Sequence, residues 1–323
     1  MARNVTLTHP FGGDDLLFRR LTTTEKLGQP FSYELEVESK KDDLALADAL
    51  GKPFCVELET RFEHKRCFHG LATEFRYVGW EGDLTRYRVT LRPWLSMLEL
   101  SADCRLVQHH PLPDILTEPF KDRGFADFQN KLSGSHPELE YCVQYGESDF
   151  AFVSRLMERF GIYYYFTHEK SKHTLVLADA YSSHDTSSEY SDAVPFYPID
   201  EMDRRKEEHV HDLVAGGFLQ TGKVKVDSYD FTRPKADLLG NKTQPRQADH
   251  SDCEVYEYRA DYDVKNDGDD CAKVMLEAKQ SRWERVNARG DCSALVCGEL
   301  VSVKEAPRSS LNKEYLVVSS AHD

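Results

Sequence analysis

The run Glu140-Tyr-Cys-Val-Gln-Tyr-Gly-Glu-Ser-Asp-Phe-Ala-Phe-Val-Ser-Arg-Leu-Met-Glu-Arg-Phe-Gly-Ile-Tyr-Tyr-Tyr-Phe166 changes its apolar period twice. Ser148 can cap a helix and Asp149 suits its positive end, while Phe152, Val153, Leu156, Met157 and Phe160 recur at helical spacing. Gly161 supplies a stop. Ile162–Phe166 then reads as a strand, His168–Lys172 as a polar turn and Thr174–Ala178 as the hairpin partner. A strand, a capped helix and a hairpin in this order mark a mixed α/β module, placed at 110–180. Its first helix begins near Pro113, and Pro119 is expected to kink or shorten it, because an interior proline costs about 3 kcal/mol.

Upstream, residues 1–109 read as strand and turn. Leu16–Thr24, Phe31–Ser39, Phe54–Arg61, Arg66–Tyr77 and Leu84–Arg92 are rich in β-branched and aromatic residues. Tyr87, Val89 and Leu91 alternate with Arg86, Arg88 and Thr90, the pattern of a sheet with one buried face. Gly28-Gln29-Pro30 and residues 79–83 supply turns, and a short helix at Leu44–Leu50 ends on Gly51. Five strands at this spacing form a small barrel or sandwich. Downstream, residues 181–323 return to strands after a Ser-rich loop at Tyr181–Tyr190 and a charged stretch at Asp200–His211. Strands are expected at Leu219–Tyr229, pausing at Pro234, then at Glu254–Tyr262, Ala294–Val303 and Glu314–Ser320. A helix at about Asp269–Trp283 interrupts them, with Val274, Met275, Ala278 and Trp283 as its buried side.

Composition limits function. A formal charge of −15 in 323 residues repels polyphosphate, and no basic run offsets it, so nucleic acid is not expected as a partner. The start carries no apolar segment of signal-peptide length, and no stretch has the 18 or so apolar residues of a membrane helix. The chain is therefore expected to be made in the cytoplasm and exported only by a dedicated machine. Eight scattered cysteines, with no Cys-x-x-Cys pair, read as reduced thiols rather than a disulfide framework or zinc knuckle.

Each candidate chemical site has a plainer reading. Tyr163–Phe166 could form an aromatic platform, but alternate residues of a strand face opposite ways, which favours packing. Arg155 and Glu158 stand three apart on a helix, as solvated ion pairs do. His209 and His211 could present two imidazoles on one face, yet no third ligand is identifiable. Asp261–Asp270 resembles a calcium loop, but aligning Gly268 with the sixth position leaves Lys265 and Val274 where ligands belong. Ser133-Gly-Ser-His136 lacks the strand-to-helix elbow of a hydrolase nucleophile, and neither a Walker loop nor a dinucleotide fingerprint occurs. No catalytic, cofactor-binding or metal residue is assigned, and no cofactor is expected.

The sequence resembles the VgrG spike proteins of type VI secretion. Gln144, Tyr145, Glu147, Ser148, Phe150, Phe152, Ser154, Arg155, Leu156, Glu158, Gly161, Ile162, Tyr163 and Tyr164 match the signature of that family. Further matching segments, in the family's order, are 27–35, 50–53, 68–70, 87–93, 103–105, 230–234 and 312–318. Departures are His109-His110, Pro119, and Gly146 where Arg is common. The resemblance implies a mainly β fold with α/β elements, like phage-tail hub proteins. Two β-barrel modules per chain, 1–109 and 181–323, would form a pseudo-sixfold ring in a homotrimer. That ring would cap the hexameric Hcp tube, contact baseplate components and carry tip and effector proteins through a region beyond Asp323. It also implies secretion through the type VI apparatus without a signal peptide. A contractile phage-tail hub is the near alternative, and a secreted hydrolase or toxin the distant one.

Overall fold

The computed structural model describes residues 4–60, 65–198, 207–259 and 261–323. Arg61, at the end of one expected strand, and residues 200–206 of the charged stretch lie outside the described residues. The chain packs as two compact units, one of Met1–Ser154, Ile162–Val210 and Gly290–Asp323, the other of Arg155–Gly161 and His211–Arg289.

The first unit is built on a half-barrel sheet. Its strands are β1 (Val5–Thr8), β2 (Leu17–Lys26), β3 (Gln29–Ser39), β4 (Pro53–Glu59), β5 (Lys65–Glu81) and β6 (Leu84–Arg92), in the order β1-β4-β5-β6-β3-β2, and the final strand Ser319–His322 pairs onto β2. Alternation decides the faces: Phe31, Tyr33, Leu35 and Val37 are at most 1% exposed, and Tyr87, Val89 and Leu91 back them from β6. Residues 79–83 do not form the expected turn. β5 runs on to Glu81, and the turn shrinks to Gly82-Asp83, where Gly82 at φ +60° takes the left-handed position that opens a tight hairpin. Register shifts near Thr73 and Val78 bend this long strand so that it follows the half-barrel. The helix expected at Leu44–Leu50 is α1 (Leu46–Ala49), followed by Gly51 at φ +75°.

Next come β7 (Ala102–Pro111) and α2 (Leu112–Asp122). Pro119 does not shorten α2, which runs through it. Leu112, Ile115, Leu116 and Phe120 are at most 1% exposed, and four such side chains at roughly 1.5–3 kcal/mol each outweigh the proline's cost of about 3. β8 (Phe128–Asn130), β9 (Glu138–Ser148), α3 (Asp149–Arg159), β10 (Tyr163–His168) and β11 (His173–Ala178) follow. β7 and β9 form a two-stranded antiparallel ribbon, and β10 and β11 form the expected hairpin. The Ser148 hydroxyl accepts the Ala151 N–H at 3.1 Å, and Gly161 stands at φ +69°, so the expected cap and stop are both present. β12 (Val194–Pro195) is a short edge pairing with a later strand.

The second unit contains β13 (Val210–Gly217), β14 (Lys223–Asp227), β15 (Gly240–Thr243), β16 (Glu254–Tyr258), α4 (Lys265–Gln280) and β17 (Glu284–Gly290). Helix α4 starts earlier than expected and buries a different row: Gly268, Ala272, Leu276 and Gln280, one every four residues, while Ala278 is exposed. Val224, Val226, Leu238 and Tyr262 pack against that row. The reason is close approach. A Cβ on Gly240 would stand 2.2 Å from the Gly268 carbonyl carbon, so the two glycines allow the helix and β15 backbones to touch. The chain then returns to the first unit as β18 (Leu300–Lys304), β19 (Glu314–Leu316) and β20 (Ser319–His322).

Candidate functional site

The residues singled out from sequence resolve mostly into packing. Tyr164, Tyr165 and Phe166 are at most 6% exposed; the Tyr165 hydroxyl donates to the Ser183 carbonyl at 2.9 Å, and the Tyr163 hydroxyl lies 2.8 Å from His184 Nε2. Arg155 and Glu158 are both exposed. His209 Nδ1 lies 3.0 Å from the Glu207 carbonyl, and its own backbone N–H donates to Asp291 at 2.7 Å. The supposed calcium loop is no loop at its end, because α4 already begins at Lys265 and takes Asp267, Asp269 and Asp270 into its first turns. Among the described residues, no three His, Cys, Asp or Glu side chains are grouped to hold a metal ion.

Ser133 and His136 do meet an aspartate, but not in catalytic order. The Ser133 hydroxyl and backbone N–H bond Asp179 Oδ1 at 3.0 and 2.9 Å, while the Gly134 N–H and His136 Nε2 bond Oδ2 at 2.8 and 3.0 Å. A triad needs the imidazole between serine and carboxylate. Here the carboxylate lies between them and ties the loop down. Burial pushes the Asp179 carboxyl up, but these bonds hold it below its ordinary value.

The signature segment is explained the same way. Gln144 is fully buried, and its amide donates to the Glu147 carbonyl at 3.0 Å and to Asp149 at 2.9 Å. Asp149, also fully buried, accepts from the Ser101 hydroxyl at 2.6 Å and Arg123 at 3.1 Å, bonds that outweigh burial and keep it ionised. Gly146 is the extra residue of a bulge between β7 and β9, at φ +61°. An arginine there would meet open space but a strained backbone.

A dense polar cluster lies elsewhere, inside the first unit, and sequence reading missed it. Glu25 on β2 is 6% exposed and Arg66 on β5 is 8% exposed. Glu25 accepts from the Tyr33 hydroxyl at 2.7 Å, from Arg66 at 3.5 Å, from the Cys297 N–H at 3.3 Å and from the Ser320 hydroxyl at 3.1 Å. Burial pushes its carboxyl up, but Arg66 and the Tyr33 and Cys297 donors hold it below its ordinary value. Arg66 in turn donates to the Ser293 carbonyl at 2.7 Å and lies 2.9 Å from His322 Nε2. Strands β2, β3 and β5 are thereby clasped to residues 293–297 and 320–322.

Proton positions around this clasp follow from its donors. Tyr33, whose phenol burial and Glu25 push well up, gives its one proton to Glu25, so His168 Nε2, at 3.0 Å, donates to the phenol oxygen. His168 Nδ1 is then bare and accepts the His69 backbone N–H at 3.3 Å, with the His69 carbonyl 3.2 Å from the same nitrogen. Similarly, His173 Nε2 accepts the Trp94 backbone N–H at 2.8 Å, so its proton sits on Nδ1 and is donated to His69 Nδ1 at 2.9 Å. All three rings are neutral. Burial takes His168 down to about 4 and His173 to about 2, and also lowers His69. Beside the clasp is an internal pocket of about 10 Å³ lined by Glu25, Phe31, Phe166 and His168, room for about one water. A wider surface groove of about 580 Å³ is lined by Pro10, Phe11, Asp15, Lys41, Asp43 and neighbours, with Lys41 bonded to Asp15 at 2.8 Å.

This polar cluster fixes a scaffold, and comparison with known proteins gives the scaffold its family. The profile of the phage tail baseplate hub (GPD) family matches residues 24–323. The chain belongs to the phage tail baseplate hub family. Among curated proteins, the hub chain is 41% identical over 320 residues to type VI secretion system spike protein VgrG1b of Pseudomonas aeruginosa, covering 99% of this chain and 43% of that protein. It is 38% identical over 324 residues to VgrG1a of the same organism, covering 100% of this chain and 50% of that protein. The chain thus spans half or less of the length of these relatives. Among solved structures, the c3393 protein of E. coli, described as a type VI component similar to T4 tail proteins gp27 and gp5, matches with a TM-score of 0.70 at 19% identity, over 99% of this chain and 73% of that one. The 43 kDa tail protein of prophage MuSo2 from Shewanella oneidensis matches with a TM-score of 0.64 at 11% identity, over 99% and 94%. At such identities the likeness is one of fold, and it agrees with the mainly β class read from sequence. The resemblance to type VI spike proteins, drawn from the signature segment, agrees with the curated relatives. Among the described residues, no helix is long and apolar enough to cross a membrane.

Proposed function

We propose that this hub chain is the base of a type VI secretion spike. Three copies form a ring, to which residues 1–109 and 181–323 of each contribute the two barrel modules and 110–180 an outer α/β module. The ring caps the hexameric Hcp tube, contacts baseplate components and delivers tip and effector proteins carried by a region beyond Asp323. It assembles in the cytoplasm and leaves through the type VI apparatus. The observation that carries this reading is the 41% identity to a type VI spike protein across 99% of the chain. The work is mechanical rather than catalytic. In support, the buried Glu25 and Arg66 are taken up by each other, by hydroxyls and by backbone, and the Ser133–His136–Asp179 cluster is wired in an order that cannot activate the serine.

A phage-tail hub shares the fold, but the prophage tail protein is 11% identical, so it supports the architecture alone. Disrupting the gene tests the reading. Hcp is expected to vanish from the culture medium and to return on complementation, and undiminished Hcp release would overturn it.

A further inference from the structure

Strand register brings two of the eight cysteines together. Cys55 on β4 pairs with His69 on β5, and Glu57 pairs with Cys67, so these four side chains share one face of the ladder, opposite Phe54, Val56 and Phe68. Cys55 and Cys67 are diagonal neighbours on that face, and their thiols hydrogen-bond each other. Their surroundings differ. Cys55 is 1% exposed, whereas Cys67 is half-buried. Lys170 and Lys65 reach the Glu57 carboxylate at 2.6 and 3.9 Å, which sets two ammonium groups on the side of Cys67.

A thiol attacks as its thiolate, so the order in which the pair loses protons assigns the roles. The bond to Cys67, together with burial, pushes the Cys55 thiol up. The same bond, aided by Lys170 and Lys65, holds the Cys67 thiol below its ordinary value although burial and Glu57 oppose it. Cys67 is therefore the sulfur that ionises first, and Cys55 keeps its proton and donates it.

We propose that Cys55 and Cys67 form a reversible dithiol–disulfide couple, with Cys67 as the attacking sulfur and Cys55 as the resolving one. The co-reactant is a small disulfide such as glutathione disulfide. The Cys67 thiolate attacks one of its sulfurs, that S–S bond breaks, and one glutathione thiolate leaves. Cys55 then loses its proton, attacks Cys67 Sγ and expels the second glutathione thiolate. The two departing thiolates take up the two protons that the cysteines released. Overall the protein loses two electrons and two protons, and one glutathione disulfide becomes two thiols.

The bridge would be strained. Diagonal neighbours stand about 7–8 Å apart at Cα, and a disulfide spans about 4.4–6.8 Å, so closure draws β4 along β5 by about 1 Å. On its other side β4 carries the four-residue β1, the edge of the sheet, which can follow. Strain makes a disulfide easy to reduce, which separates a reversible couple from a permanent staple. A reducing cell interior would hold the couple open, and an oxidising medium would close it.

The test incubates the full, folded chain with glutathione disulfide, unfolds it in urea with N-ethylmaleimide to trap free thiols, and maps peptides by mass. Maleimide labelling of Cys55 and Cys67 is expected to fall at least tenfold in parallel, with a linked peptide lacking two hydrogens, and to return after dithiothreitol. The exposed Cys104 and Cys253 are expected to carry glutathione without a bridge. In Cys55→Ser the reaction is expected to stop at the glutathione adduct of Cys67, and in Cys67→Ser the buried Cys55 is expected to stay free. Full labelling of both Cys55 and Cys67 while Cys104 and Cys253 carry glutathione would overturn the proposal. So would a bridge that forms only when the chain is oxidised in urea.

Discussion

Replacing Glu25 by glutamine keeps the shape of the side chain and removes its charge, leaving Arg66 buried without a counter-ion. Glu25 takes four donors, from Tyr33, Arg66, Cys297 and Ser320, and the amide that replaces one oxygen would face donors with a donor. Breaking one side of a buried ion pair costs about 3–5 kcal/mol. The clasp joins β2 and β5 to residues 293–297 and 320–322, so the loss should appear there first. At about 1.4 kcal/mol per tenfold, exchange of those backbone amides is expected to accelerate by roughly two to three and a half orders of magnitude, read by hydrogen exchange with mass spectrometry. Glu25→Leu combined with Arg66→Met should recover much of the loss, because removing both charges leaves neither unpaired. An acceleration below about tenfold in Glu25→Gln, or a double variant as labile as the sum of its singles, would refute the reasoning.

Acid should loosen the first unit. His168 and His322 titrate at about 4 and His173 at about 2 when folded, against 6.5 in the unfolded chain, so the unfolded state binds more protons throughout that window. Stability is therefore full above pH 6.5 and is lost as pH falls toward 4, by up to about 1.4 kcal/mol per pH unit for each ring; urea midpoints measured from pH 7.5 to 4 should fall accordingly, and a flat profile would contradict the neutral assignments. Gly240→Ala puts a methyl group 2.2 Å from the Gly268 carbonyl carbon and should destabilise the second unit by about 1–3 kcal/mol or more, seen as faster amide exchange in α4 with the first unit unchanged. Ser148→Ala removes the α3 cap at Ala151 and should cost about 1 kcal/mol by thermal unfolding, with Ser148→Asp restoring most of it.

Much of the fold was legible because local chemistry agreed with the final packing. Alternation in β3 and β6, the Ser148 cap and the Gly161 stop each needed only neighbouring residues. The misses came where distant segments decided. Pro119 is tolerated because fully buried side chains hold α2 in place, and Gly240 turns the α4 face by letting a remote strand approach. Nothing local announces that β20 returns to β2, nearly three hundred residues away. The buried clasp did leave a trace. Arg66 stands two before the buried Phe68, and Glu25 two after the buried Thr23, so each charge occupies the inward phase of its strand. A charge in that phase signals a buried partner without naming it. His168, placed in a polar turn by sequence, is the last residue of β10 and meets Tyr33 across 135 positions.

The central claim is a threefold hub seated on a sixfold tube, and the native mass of the chain bound to preassembled Hcp hexamers tests it most directly. The account predicts three 37.1 kDa chains per hexamer. No complex, or six chains per hexamer, would contradict it.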